Sequence, residues 1–420
     1  MLAFPRMVID SESTSTGPLE FNPLLPEVRA DPYPLYGRLR TEDPVHENFP
    51  GVWILTRYAD CLAVIRDPTR FSSDSRNSEL VQAFRASLGR EPSVIEENAG
   101  RSMLFQDPPD HDRLRNLVNK AFTAPVVERM RRHIQEIVEG LVDRMASSDR
   151  EVVDVVEEVA YPLPVQVICE MLGVPIEDRE LFHQWSADLV LTLDPVISVD
   201  VLERGDRAAL GFADYFTRLL PDRRARPRED LLTAMIQAEE QGQRLTELEL
   251  LSMCILLLVA GHETTVNLIS NGMLALLRHP DQLARLRDDP GLTRSAVEEM
   301  LRYDSPVQML GRTAMEEMDI GGRRVLKGHQ LVAVLGAANR DPAQFPDPDR
   351  LALARLDNRH LAFGGGIHYC LGGLLARAEG HAAIGTLVRR LPYLRLAEED
   401  PPRRQTITLR GLASLPVAIR

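Results

Sequence analysis

Lysine is almost absent from this chain. Of its 49 basic residues only Lys120 and Lys327 are not arginine. Nearly every cation can therefore grip a carboxylate through two parallel N–H bonds. Cysteine is scarce as well: Cys61, Cys169, Cys254 and Cys370 stand far apart, with no CxxC pair. That spacing excludes a disulfide scaffold and a cysteine-rich zinc module, and it suits a reducing cytoplasm. Positive charge is in deficit, 49 Lys plus Arg against 62 Asp plus Glu, for a net charge of −13. The balance argues against nonspecific nucleic-acid binding. Long hydrophobic runs are missing. The longest extends from Met253 to Gly261, well under the roughly 20 residues of a membrane span. Residues 1–17 are polar and have no apolar stretch of the kind a signal peptide needs. The expectation is a cytoplasmic protein with neither a nucleic-acid nor a membrane partner.

The rest is ordinary globular composition, 44% hydrophobic and 26% charged, enough to bury a core. Periodicity predicts helices over Ala124–Ala146, Val152–Leu172 and Asp230–Glu240. Val52–Tyr58 reads as a strand, as do the flanks of Gly321-Gly322 and the stretch Gln330–Leu335. A further hairpin is expected around Arg410-Gly411. The charged runs 220–230 and 397–404 read as solvated loops. With no repeat and no composition break, residues 18–420 are expected to form one mainly α domain with small β-sheets, after a disordered segment 1–17.

One helix stands out. Thr246 and Glu249 make a capping box, and Pro280 stops the pattern after Arg278. Its middle is apolar on every side and then turns polar at Ala260-Gly261-His262-Glu263-Thr264-Thr265. Glycine there costs about 1 kcal/mol against alanine. A carboxylate and two hydroxyls beside an apolar run must find partners. Several broken local rules at one place mark a functional site. The motif is not HExxH, because its fifth position is Val266.

The second knot is Phe363-Gly364-Gly365-Gly366-Ile367-His368-Tyr369-Cys370-Leu371-Gly372, followed by a predicted helix, Leu374–Leu391. Three glycines allow turns and the close approach of a flat ligand. Cys370 precedes a helix N-terminus, where N–H groups and the helix dipole favour a thiolate. A lone thiolate in such a loop is a candidate ligand for haem iron.

FGGGIHYCLG resembles the haem-thiolate signature of the cytochrome P450 family in its soluble bacterial form. Four further segments fall in the family's order: DPPDHDRLRNLVNKAFT (107–123), LVAGHETT (258–265), EEMLR (298–302) and AANRDPAQFPDPDRLALAR (337–355). The resemblance runs from about Asn22 to the C-terminus. It implies the triangular, α-rich cytochrome P450 fold, with haem b between the long central helix and the cysteine loop. By resemblance Cys370 is the iron ligand, and Phe363 and Gly364 lie against the haem. His111, Arg115, Arg312 and His368 would hold its propionates. Glu299 and Arg302, with Arg355, would form a buried structural triad. Gly261, Glu263 and Thr264 would sit where oxygen is activated, Glu263 feeding protons and Thr264 orienting a water. His262 would bond away from the iron.

The resemblance also places Leu256, Val259, Ala260, Val307, Met309 and Leu409 on the wall of a largely apolar pocket. Ala260 and Gly261 would leave room for oxygen and substrate. Ser72–Met103 and Phe182–Asp214 would form its lid. The implied reaction is insertion of one oxygen atom from O2 into a small apolar substrate: a polyketide or macrolide, terpenoid, steroid or fatty acid. Electrons would come from a ferredoxin or flavodoxin with an NAD(P)H reductase, docking on a basic patch of Arg113, Lys120, Arg359 and Arg377. The protein is expected to be a monomer. The alternatives are a peroxide-driven or isomerising haem-thiolate enzyme, and a haem-thiolate sensor.

Overall fold

The computed structural model describes residues 19–87, 101–194, 198–238 and 242–420. The segment 1–17, residues 88–100 of the first lid segment, and Pro195 lie outside the described residues.

The axis of the molecule is the helix Glu247–Arg278. Both halves of its capping box form: Thr246 Oγ1 accepts from Glu249 N–H, and the Glu249 carboxylate accepts from Thr246 N–H. Its length and hydropathy would suffice for a membrane span, but 67% of that window is buried inside the fold, so packing accounts for the apolar composition. It lies against two helices that position the site, Pro162–Leu172 and Gly373–Arg390. The second approach is close because Gly380 has no side chain; a Cβ there would stand 3.1 Å from Leu268 Cδ2. Ala124–Ala146 closes the layer on the far side of Gly373–Arg390.

The β-structure is small and peripheral. Five strands run in the order Val45–Phe49, Val52–Leu55, Gln330–Val334, Met309–Ala314, Phe71–Ser72. Val52–Leu55 and Gln330–Val334 pair in parallel, Trp53 opposite Leu331. Met309–Ala314 runs antiparallel to Gln330–Val334, Arg312 opposite Leu331. This sheet carries Met309 and Arg312 to the cavity.

Four expectations are corrected. Val152–Leu172 is not one helix. Val152–Asp154 is a strand, with Val153 paired to Val417. A single wide turn at Val156–Ala160 follows, and the helix starts again at Pro162. The alternating exposure of these valines, outward at Val152 and inward at Val153, is the strand's period of two. The run 220–230 is a solvated loop only from Arg226 onward. Helix Val199–Ala225 passes through Pro221, and Arg223 is buried against Asp230 at 3.0 Å. Leu220 and Arg223 lie three apart on the inward face, a pattern hidden by the surrounding charge. The run 397–404 is not wholly solvated, because Arg404 reaches Glu263. The C-terminal hairpin is a wide loop instead. Arg403 bridges Leu412, Leu409 bridges Val307, and strand Pro416–Ala418 pairs with Val152–Asp154 and Arg395–Leu396.

Candidate active site

The cysteine loop is built by its glycines. Gly364 and Gly366 have φ of +68° and +62°, a region closed to most residues. A Cβ on Gly366 would also meet Ile65 O at 2.8 Å. The loop closes through Cys370 N–H to Phe363 O, 3.0 Å, and Gly364 N–H to Leu361 O, 2.8 Å. Helix Gly373–Arg390 starts three residues after the cysteine. Cys370 lines the cavity between this loop and the central helix. Burial pushes the thiol up, and Gly372 N–H, Arg115 and Arg377 offset only part of that. A thiolate here needs a stronger cation, and binding to a metal would displace the proton. Among the described residues no group of three His, Cys, Asp or Glu side chains is placed to hold a metal ion. A metal at Cys370 would therefore need its other ligands from elsewhere.

Beside the cysteine stands a cluster of basic groups with too few acids. Burial lowers the Arg312 guanidinium to about 10, with Asp107 opposing. His368 is held at about 3 by burial and by Arg312, His111 and Arg115. The His111 and His368 rings are 4.4 Å apart, and His111 Nε2 is buried without a hydrogen-bond partner. His111 stands behind His368, whereas Arg115, Arg312 and His368 line the cavity. Buried basic groups facing a cavity with few acids beside them fit an anionic ligand. A haem, with its two propionates and its iron, matches both the cluster and the lone thiol. We expect Arg312→Leu to speed haem loss roughly tenfold or more, the worth of a hydrogen bond to a charged group. Transfer of haem to an apo-globin measures it.

The opposite wall is the polar knot of the central helix. Gly261, Glu263 and Thr264 all line the cavity. Thr264 Oγ1 donates to Ala260 O at 3.2 Å, the back-bonding that loosens a helical turn. Glu263 is 1% exposed; one oxygen accepts from Arg404 and the other faces His262 Nε2 at 3.4 Å. Burial alone would raise this carboxyl, but His262 and Arg404 outweigh it and hold it near about 2. Gly261 also lets the neighbouring helix approach. A Cβ on it would stand 2.8 Å from Ile168 Cγ1 on the neighbouring helix.

Away from the cavity Glu299, Arg302 and Arg355 meet. Glu299 accepts from Arg302 Nε and Nη2 at 2.8 and 2.9 Å, and from Arg355 Nε at 3.0 Å. Ala352 N–H and Asn358 Nδ2 complete its shell. Arg302 also donates to Asn339 O and Pro348 O, and Arg355 to Pro346 O. These bonds tie helix Thr293–Tyr303 to the irregular chain leading into the cysteine loop.

The cavity measures about 520 Å³. Leu256, Val259, Ala260, Val307, Met309 and Leu409 all line it, as do Phe363 and Gly364. Two site features left no mark in the sequence. Arg404 is one. The other is Asp194, which accepts N–H bonds from Ile407 and Thr408 and pins the end of helix Arg179–Leu191 to the loop carrying Leu409. The expected basic patch is largely neutralised. Arg113 bonds Glu249, Arg359 bonds Asp357, and Arg377 bonds Glu298.

Known proteins agree with this architecture. The family profile named "Cytochrome P450" matches residues 78–290 and 291–418. The polyketide biosynthesis cytochrome P450 PksS of Bacillus subtilis is 40% identical over 96% of this chain and 99% of its own. Its solved structure superposes with a TM-score of 0.85, covering 95% of this chain and 99% of that one. The cytochrome P450 monooxygenase PikC of Streptomyces venezuelae is 42% identical over 97% and 96% of the two chains. A structure of P450BioI with an acyl carrier protein bearing hexadec-9Z-enoic acid matches at 39% identity and TM-score 0.86, covering 94% and 99%. With a lone thiol and a basic cluster around one cavity, and a family match over almost its full length, this chain belongs to the cytochrome P450 family and is a monooxygenase.

Proposed function

We propose that the chain binds haem b through Cys370 and oxidises an apolar molecule of polyketide or macrolide size and chemistry in the cytoplasm. One observation carries this: a single cavity places Cys370 on one wall and the Glu263–Thr264 pair on the other. The bound haem would supply activation of O2 by two electrons and two protons, and insertion of one oxygen atom into the substrate. The protein's part is to hold, exclude and deliver. Arg115, Arg312 and His368, backed by His111, hold the propionates. Phe363 shields the thiolate under the Arg377 guanidinium, which lies 4.3 Å from its ring centroid. Thr264 Oγ1 exchanges its bond to Ala260 O for one to a water. Glu263, held ionised between His262 and Arg404, relays protons to that water as they arrive. Leu256, Val259, Val307, Met309 and Leu409 exclude bulk solvent and bind the substrate by apolar contact.

The substrate class rests on the apolar walls and on the names of relatives. PksS is named for polyketide biosynthesis, and another relative, 40% identical, is a 6-deoxyerythronolide B hydroxylase. Ser252, Thr192 and Thr408 also line the cavity and would meet the oxygens such molecules carry. Four unpaired cysteines support a reducing compartment, and a ferredoxin with its reductase is the electron source we expect there. The test is turnover of a polyketide panel with ferredoxin, reductase, NAD(P)H and isotope-labelled O2. One labelled oxygen atom per product is expected. Product formed only from added peroxide, without electrons, overturns this reading in favour of a peroxide-driven enzyme.

A further inference from the structure

His262 lies beside Glu263 and has no assigned part in the chemistry. Its side chain is 1% exposed. Its Nδ1 is 2.7 Å from Leu258 O. A carbonyl only accepts, so Nδ1 carries a proton and donates it. In a neutral imidazole Nε2 would then be a bare lone pair. That Nε2 faces Glu263 Oε1 at 3.4 Å. Neither atom has another hydrogen-bond partner, and both are fully buried. Two buried lone pairs facing each other would leave two polar groups unsatisfied, at a cost of about 1–3 kcal/mol each. One extra proton between them removes both penalties. The second Glu263 oxygen is already taken by Arg404, so the carboxyl cannot turn to find a different donor without giving up that ion pair.

We infer that His262 is a doubly protonated positioning residue that shares its Nε2 proton with Glu263 and, with Arg404, clamps that carboxyl in place. This rests on the reading of Glu263 as the proton-delivering acid and adds where its next proton is kept. The Nε2 proton of His262 moves to Glu263 Oε1, and Glu263 passes it on to the water at Thr264. His262 is left neutral, still donating from Nδ1 to Leu258 O, and regains a proton from solvent between turnovers. Atoms and charge balance, and no electron is exchanged.

The surroundings bear on the charge from several elements. Arg404, from the C-terminal loop, opposes an imidazolium. Glu263 favours it. Tyr161 lies edge-on to His262 with ring centroids 6.2 Å apart, and His183 stacks on Tyr161 at 4.1 Å. Glu180, from the same helix as His183, adds negative charge near Tyr161. Arg404 is itself paired with the same carboxylate.

The test is nitrogen magnetic resonance on the reduced, carbon-monoxide-bound holoenzyme, with histidine isotope-labelled in its ring. The His262 signals are assigned by their loss in His262→Asn, or in His262→Gln if the first variant fails to fold. Two protonated ring nitrogens at neutral pH are expected, with one proton lost in Glu263→Gln. A bare Nε2 in the wild type overturns the inference. The ratio of hydrogen peroxide to product is the second readout. That ratio should rise about tenfold in His262→Asn, less than the roughly 10²–10⁴-fold that a general acid itself contributes, with haem content and substrate affinity retained. Unchanged coupling there also overturns it. Glu263→Gln separates the two levels: full coupling in that variant removes Glu263 as the acid, whereas the ring nitrogens of wild-type His262 report on the shared proton alone.

Discussion

A Cys370→Ser variant should lose the red-shifted carbon-monoxide band of the reduced protein entirely, and turnover with it. A serine hydroxyl is close in size but holds its proton far more tightly than a thiol, so it cannot offer the iron an anionic sulfur. The glycine-built loop would survive, because Cys370 contributes its backbone N–H to Phe363 O and serine keeps that bond. The basic cluster of Arg115, Arg312, His111 and His368 would also survive, so some haem should remain bound. The measurement is the reduced carbon-monoxide difference spectrum, read beside total haem content. Wild type should show the thiolate-type band; the variant should show haem without it. A thiolate-type band that persists in the variant would move the iron ligand to another cysteine. Burial opposes that outcome, since Cys61 and Cys254 are fully buried with thiols pushed far above their usual range.

The elements with local causes were legible in the sequence. The Thr246–Glu249 box marked the start of the central helix, and Pro280 its end, because capping needs only residues three apart. The pair Glu299 and Arg302 was readable for the same reason, one helix turn apart. The triple glycine announced a turn that other residues cannot make. What escaped was set by distance in the chain. Arg404 is 141 residues from Glu263, and Ile407 is 213 from Asp194. Neither contact leaves a periodic signal, and Arg404 sits in a stretch whose charge reads as solvated surface. Arg223 was hidden in the same way, a buried guanidinium inside a run of charge.

Glu299→Ala should cost folding or haem retention, not merely rate. The carboxylate is fully buried, as is Arg302, and Arg355 is 10% exposed. It accepts from two guanidiniums, one backbone N–H and one amide. Alanine would strand both cations beside a cavity too dry to solvate them. Removing one partner of such a buried pair costs about 3–5 kcal/mol, against a total stability of roughly 5–15 kcal/mol for a native protein. The damage would not stay local. The same two arginines hold the carbonyls of Asn339, Pro346 and Pro348, and Asn339 in turn accepts the N–H of Leu361 at the entry to the cysteine loop. A shift there would move Phe363 and Cys370. The expected result is poor soluble yield and low haem content, with a lower melting temperature for whatever folds. Glu299→Gln keeps the shape but carries no charge and cannot accept from every donor, so it should fall between wild type and Glu299→Ala in both yield and melting temperature. Thermal unfolding and haem content per protein, measured together, decide the matter. A well-folded Glu299→Ala protein with full haem and only slowed turnover would instead place Glu299 in the chemistry, which its distance from the cavity wall opposes: it is not among the residues that line it.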